Sequence, residues 1–125
     1  MDEKAKEKYT KVAFDALKPF LSGSVRDPKE FSRLYSCGSP KAVVNTVSSY
    51  VSDWWGGSPG IVEKMPPDER GKILLNNISG AVGVVAKELS LPPAAKEHML
   101  AQAYNPVAQR YGLKKLPEKK AEKQE

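Results

Sequence analysis

The chain has a single histidine and a single cysteine, so thiol or imidazole chemistry would have to pass through His98 and Cys37. A thiol activated by an imidazole needs the two within hydrogen-bond reach, and nothing in the local sequence brings these two together. A zinc site needs about four ligands at characteristic spacing. His98 is flanked by Glu97 and Met99, and no second imidazole exists to share a metal. Structural or surface roles are therefore the expectation for both residues. The glycines from Gly56 to Gly60 lack the Gly-Lys-Ser/Thr ending of a phosphate-cradling loop and follow no strand, so they read as a flexible connection. No catalytic constellation emerges, and neither enzymatic activity nor a cofactor is expected.

Binding chemistry is better represented. Lys4, Lys6, Lys8, Lys11 and Lys18 fall mostly off the apolar face of the first segment. They read either as a solvated helix face or as a phosphate-binding one that adds salt-sensitive affinity without sequence information. Glu3 and Glu7 dilute that field, and Glu7 is placed to pair with Lys11 at i, i+4. Arg26, Lys29, Arg33 and Lys41 surround the turn Cys37-Gly38-Ser39. Helices on both sides of this turn, with Val44 and Val47 as core positions of the second, make a helix-turn-helix arrangement. Leu34 departs from that pattern, where a small residue is usual, and a generic helical hairpin is the alternative. In Trp54-Trp55, Trp54 continues an apolar stripe and should pack in the core. Trp55 has two readings, an intramolecular contact or a subunit interface.

These groups must be carried by helices. Tyr9, Ala13, Ala16, Leu17 and Phe20 recur at three- and four-residue steps, which predicts a helix from about Asp2 to Leu21, ended by Pro19 and Ser22-Gly23-Ser24. Asp27-Pro28-Lys29-Glu30 is a helix start with a capping aspartate, a proline at the first position and a box-like glutamate. Ser39-Pro40 begins another helix by the same logic, with Val43, Val47, Tyr50, Val51 and Trp54 as its buried stripe. Pro66-Pro67-Asp68-Glu69 opens the longest, whose apolar face is Leu74, Ile78, Ala81, Val82, Val85 and Leu89. Gly80 and Gly83 weaken that helix and suggest close approach by a neighbouring backbone. Pro92-Pro93 begins the last, with Ala95, Met99, Ala103, Val107 and Tyr111 along it. Pro106 should kink or restart it, with Asn105 available as a cap. From Lys114 onward the chain is mostly charged and is expected to order only on a partner.

At 125 residues the chain is long enough for one domain. Lys and Arg exceed Asp and Glu by 20 to 15, and this net charge of +5 favours polyanionic partners. A lone cysteine permits no intrachain disulfide. No apolar run follows Met1, so no secretory leader is expected, and stretches such as Val82 to Ala86 are too short to span a bilayer. The fold class expected is all-α, with about five helices.

Three stretches carry a family resemblance. They are Asn77-Ile78-Ser79-Gly80-Ala81-Val82-Gly83-Val84-Val85, then Leu91-Pro92-Pro93, then Ala103-Tyr104-Asn105-Pro106-Val107-Ala108-Gln109-Arg110-Tyr111-Gly112-Leu113. A valine-rich helix, a short turn and a tyrosine-bearing helix with a late arginine resemble the major coat proteins of filamentous archaeal viruses with linear double-stranded DNA. The resemblance implies a compact helical bundle with an extended N-terminal helical arm, and with the charged tail this divides the chain into an arm over 1–24, a core over 25–113 and a tail over 114–125. It implies dimers, of one chain or of two paralogous coat subunits, that clasp double-stranded DNA. The matching basic positions are Lys4, Lys8, Lys11 and Lys18 on the arm, and Arg26, Lys29, Arg33 and Lys41 beyond it. Trp55, Tyr104 and Tyr111 are the expected subunit contacts. Some members carry a membrane envelope. The function expected is thus a DNA-packaging subunit of a virion, with a helix-turn-helix DNA-binding regulator as the alternative.

Overall fold

The computed structural model describes residues 3–21 and 25–117. Its helices are α1 (Glu3–Leu17), extended by a 3-10 turn over Lys18–Phe20, then α2 (Pro28–Leu34), α3 (Pro40–Gly56), α4 (Pro59–Val62), α5 (Arg70–Leu89) and α6 (Pro93–Arg110). No strand occurs among the described residues, so the chain is an all-α bundle. The single turn α4 is the element that the periodicity does not announce. None of the helices is long and apolar enough to cross a membrane.

Local signals set the helix starts. The Asp27 carboxylate accepts the Glu30 backbone N–H at 2.9 Å, and Glu30 Oε1 accepts the Arg26 N–H at 2.6 Å. Ser39 Oγ accepts the Ala42 N–H at 3.2 Å. Each satisfies a backbone donor that the first turn cannot. Two helix ends close by the same exchange in reverse. Leu91 N–H returns to the Ala86 carbonyl at 2.9 Å around Ser90, which has φ 52°. Leu113 N–H returns to the Ala108 carbonyl at 2.7 Å around Gly112, at φ 69°.

Four helices form the bundle. α3 packs on α1 and α6, α5 also packs on α1 and α6, and α3 meets α5 across the diagonal. The core at their centre includes Phe31, Leu17, Leu74, Ile78, Met99 and Val47, each under 2 % exposed. α2 lies against α1.

Several expectations are corrected here. α1 is no arm: Val12, Ala13, Phe14, Ala16 and Leu17 bury one whole side of it in the bundle. A helix with that much apolar surface is stable only with that side covered, and here α3 and α5 cover it. Lys11 pairs with Asp15 at 3.0 Å, not with Glu7. α6 runs unbroken through Pro106. Pro106 is exposed while Tyr104, Val107 and Ala108 on either side of it are buried, and that packing outweighs the missing hydrogen bond. Asn105 lies within α6 and turns its side chain to the tail. Its Oδ1 accepts the Leu116 N–H at 2.8 Å and its Nδ2 donates to the Leu116 carbonyl at 3.1 Å. The start of the charged tail is thereby held, with Leu116 packed against the core, while residues 118–125 lie outside the described residues. A side chain at Gly80 or Gly83 would meet nothing within 4 Å, so no backbone approaches there. The close approach is at Gly71, where a Cβ would come within 3.2 Å of the Tyr104 hydroxyl.

Candidate nucleic-acid interface

Because one side of α1 is buried, its other side is fixed toward solvent. Lys4, Lys8, Lys11 and Lys18 are all exposed. At about 100° per residue Lys4, Lys8 and Lys11 fall within an arc of roughly 60° along about 11 Å of helix axis, and Lys18 follows on the 3-10 turn. They form one stripe, interrupted by Asp15. The Lys11–Asp15 pair joins side chains 63 % and 33 % exposed, and a pair this wet holds its lysine only weakly. Lys8 lies over the Tyr9 ring at 5.4 Å and Lys18 over the Phe14 ring at 5.7 Å. Both ammonium groups therefore lie near a ring of the same segment while the residues stay exposed.

α2 supplies a second strip beside the first. Lys29 and Arg33 are exposed on it, Arg26 at its start and Lys41 on the first turn of α3. A groove between α1 and α2 is lined by Lys6, Lys11 and Lys29 together with Glu3 and Glu7. The fold thus brings Lys11 and Lys29 onto one surface, which they share with two carboxylates. Phosphates recognised there would meet a field that is positive but mixed.

The helix-turn-helix geometry is present only in outline. α2 has seven residues, and α3, in the reader's position, is packed by α1, α5 and α6. Its solvent side carries Lys41, Asn45, Ser49 and Asp53 in sequence. A carboxylate at the far end of that face opposes docking into a groove walled by phosphates.

The three expected subunit contacts serve the chain itself. Trp55 is 5 % exposed and Tyr104 3 %. The Tyr111 hydroxyl, half-buried, donates to the Trp55 carbonyl at 2.7 Å, which ties the end of α6 to the end of α3. Of the two readings of Trp55 the intramolecular contact holds, whereas Trp54, expected in the core, is only half-buried. The buried stripe is Val43, Val47, Val51, Trp55 at four-residue steps, and Trp54 stands at its margin.

Cys37 is fully buried between α2 and α3. Its backbone N–H donates to Thr10 Oγ1 at 3.0 Å, and its thiol lies 3.7 Å from Thr46 Oγ1. Burial pushes the thiol pKa up, against a smaller lowering by Thr46, so the sulfur stays protonated and a poor nucleophile at neutral pH. His98 is exposed on α6. Among the described residues no group of three or more His, Cys, Asp or Glu side chains is placed to hold a metal ion.

A further feature has no signature in the sequence. Tyr35, in the α2–α3 connection, comes over α3 and closes a cleft with Tyr50 and Trp54, whose polar side carries Asn45, Ser49 and Asp53. Burial, and to a lesser degree the neighbouring Tyr35 hydroxyl, raise the Tyr50 pKa, so that phenol is neutral at physiological pH.

Comparison with protein-family models, curated proteins and solved structures finds no match to this chain.

Proposed function

We propose that the protein is a non-enzymatic structural subunit that coats linear double-stranded DNA, as its resemblance to filamentous-virus coat proteins implies. The observation that carries the reading is the alignment of Lys4, Lys8 and Lys11 on the one side of α1 left exposed by the bundle, continued by exposed Lys18 on the 3-10 turn. Such a stripe neutralises consecutive backbone phosphates and ignores base identity. Lys29 and Arg33 on α2 widen it.

With α1 built into the bundle, one subunit contacts one side of a duplex. Enclosure of the DNA then comes from successive subunits, identical or paralogous, along its length. With Trp55 and Tyr104 in the core, contacts between subunits fall to exposed apolar side chains, of which Leu34, 65 % exposed, is the most prominent.

The test is affinity for several unrelated duplexes across a salt series. Four phosphate contacts give a slope of log affinity against log salt near about −3.6, or about a hundredfold loss between roughly 50 and 200 mM. Reversing Lys4, Lys8 and Lys11 to Glu should flatten that slope and weaken every duplex alike. Electron microscopy of protein with linear DNA should show continuous coating. A protein with no salt-sensitive affinity for any duplex overturns the reading. A single preferred site, lost on reversing Arg33 and Lys41, would transfer support to the regulator alternative.

A further inference from the structure

The cleft beside α3 has a chemistry opposite to that of the basic stripe. It holds about 540 Å³ and opens to solvent. Three of its walls are aromatic. Tyr35 and Tyr50 meet at 5.7 Å with planes 80° apart, and so form a corner. Trp54 continues the wall one turn along α3 from Tyr50. Tyr35 and Trp54 are fixed from behind, Tyr35 by Phe31 at 5.2 Å, Trp54 by Phe20 at 5.4 Å and by Trp55 at 4.9 Å. The remaining side presents Asn45, Ser49 and Asp53, and no lysine or arginine lines the cleft. The Asp53 carboxylate makes no ion pair or side-chain hydrogen bond among the described residues.

We propose that this cleft binds an alkylammonium group, primary or methylated. A cation is attracted both by the π faces of the rings and by the carboxylate, and it is the ligand class that uses both. An anion would be repelled by Asp53, and a neutral apolar ligand would use the rings alone. The volume lies within the range of small-ligand sites and accommodates an ammonium head with several carbons of its stem. Pre-fixed rings lose little freedom when the ligand arrives. Two sources share this chemistry, a free polyamine or quaternary amine and a lysine side chain presented on a peptide. The site is separate from the α1 stripe and does not depend on the DNA reading.

Titration of the full-length protein with tetramethylammonium, spermidine and a short trimethyl-lysine peptide tests the proposal, followed by tryptophan fluorescence and by NMR shifts of the cleft side chains. Saturable binding with shifts confined to Tyr35, Tyr50 and Trp54 is expected. Asp53→Asn should weaken each cation by about tenfold, since it removes the charge and keeps the shape. Tyr35→Leu should weaken them comparably, because it keeps an apolar wall without a π face. Glu63→Gln, a neutralisation outside the cleft, should leave affinity unchanged. Both cleft positions are solvent-exposed, and circular dichroism establishes that the variants remain folded. A peptide at least about tenfold tighter than the free amines identifies the lysine source, and the reverse order identifies the small amine. The proposal is overturned if no cation binds saturably, if the uncharged isostere 3,3-dimethylbutanol binds as well as choline, the ammonium compound of the same shape, or if Asp53→Asn and Glu63→Gln have the same effect.

Discussion

Replacing Gly80 and Gly83 with alanine should stabilise the protein, although both sit in the middle of its longest helix. Glycine in a helix interior costs about 0.5–1 kcal/mol against alanine, because the unfolded chain gives up more backbone freedom there. That gain is realised only where the added methyl has room. At both positions a Cβ would meet nothing within 4 Å, and neither residue has positive φ. Each single change should therefore add about 0.5–1 kcal/mol, and the pair about 1–2 kcal/mol if the neighbouring methyls act independently. For 125 residues the unfolding entropy is about 0.26 kcal/mol per degree, so each kcal/mol raises Tm by about 4 °C and the double variant should gain roughly 4–8 °C. Two other glycines serve as controls. Gly71→Ala sets a methyl 3.2 Å from the Tyr104 hydroxyl and should gain less or lose. Gly112→Ala forces a side chain into φ 69° and should destabilise by about 1 kcal/mol. Thermal melts and urea titrations, compared at two protein concentrations, provide the measurement. A lower Tm for Gly80→Ala or Gly83→Ala would contradict this account, since it would mean that another surface fills the space.

Ile78→Ala, at a fully buried position on α5, should cost about 2–4 kcal/mol through lost burial and a residual cavity; an unchanged urea midpoint would show that the α5 face is not packed. Ser48→Ala should raise stability by roughly 1 kcal/mol, because the buried Ser48 hydroxyl has no hydrogen-bond partner among the described residues and alanine is the better helix former; a loss of stability on denaturant titration would reveal a partner for that hydroxyl. Burial raises the pKa of Cys37, Tyr50 and Tyr104 above their unfolded values, so the folded state holds these protons more tightly than the unfolded chain does. Stability should be level through neutral pH and fall as pH rises past the ordinary thiol and phenol ranges, about 8.5 and 10. Denaturant midpoints from about pH 7 to 10.5 measure this, and a rise in stability over that interval would be incompatible with the burial of the three groups.

Features written in short-range chemistry can be read directly from the chain. Asp27-Pro28 and Ser39-Pro40 start helices because a side-chain oxygen reaches a backbone N–H three residues on, and no distant part of the chain is needed. The apolar stripe from Leu74 to Val85 marks a buried face because the helix period alone puts those residues together. The lysine stripe of α1 is legible for the same reason, as the complement of a buried side. Whatever depends on which element lies opposite is settled only by packing. Trp54 and Trp55 differ by about 100° around one helix, and only the positions of α1 and α6 determine which ring is enclosed. The amphipathic α1 had to bury its apolar side somewhere, and periodicity does not say whether that is against its own chain or another. Gly71, Gly80 and Gly83 are alike in sequence, yet only Gly71 faces a neighbouring side chain. The clamp of Asn105 on Leu116 and the cleft of Tyr35 with Tyr50 and Trp54 join residues from separate elements. Such contacts follow from the packing of the bundle, in which the burial of many apolar side chains at once outweighs any local preference.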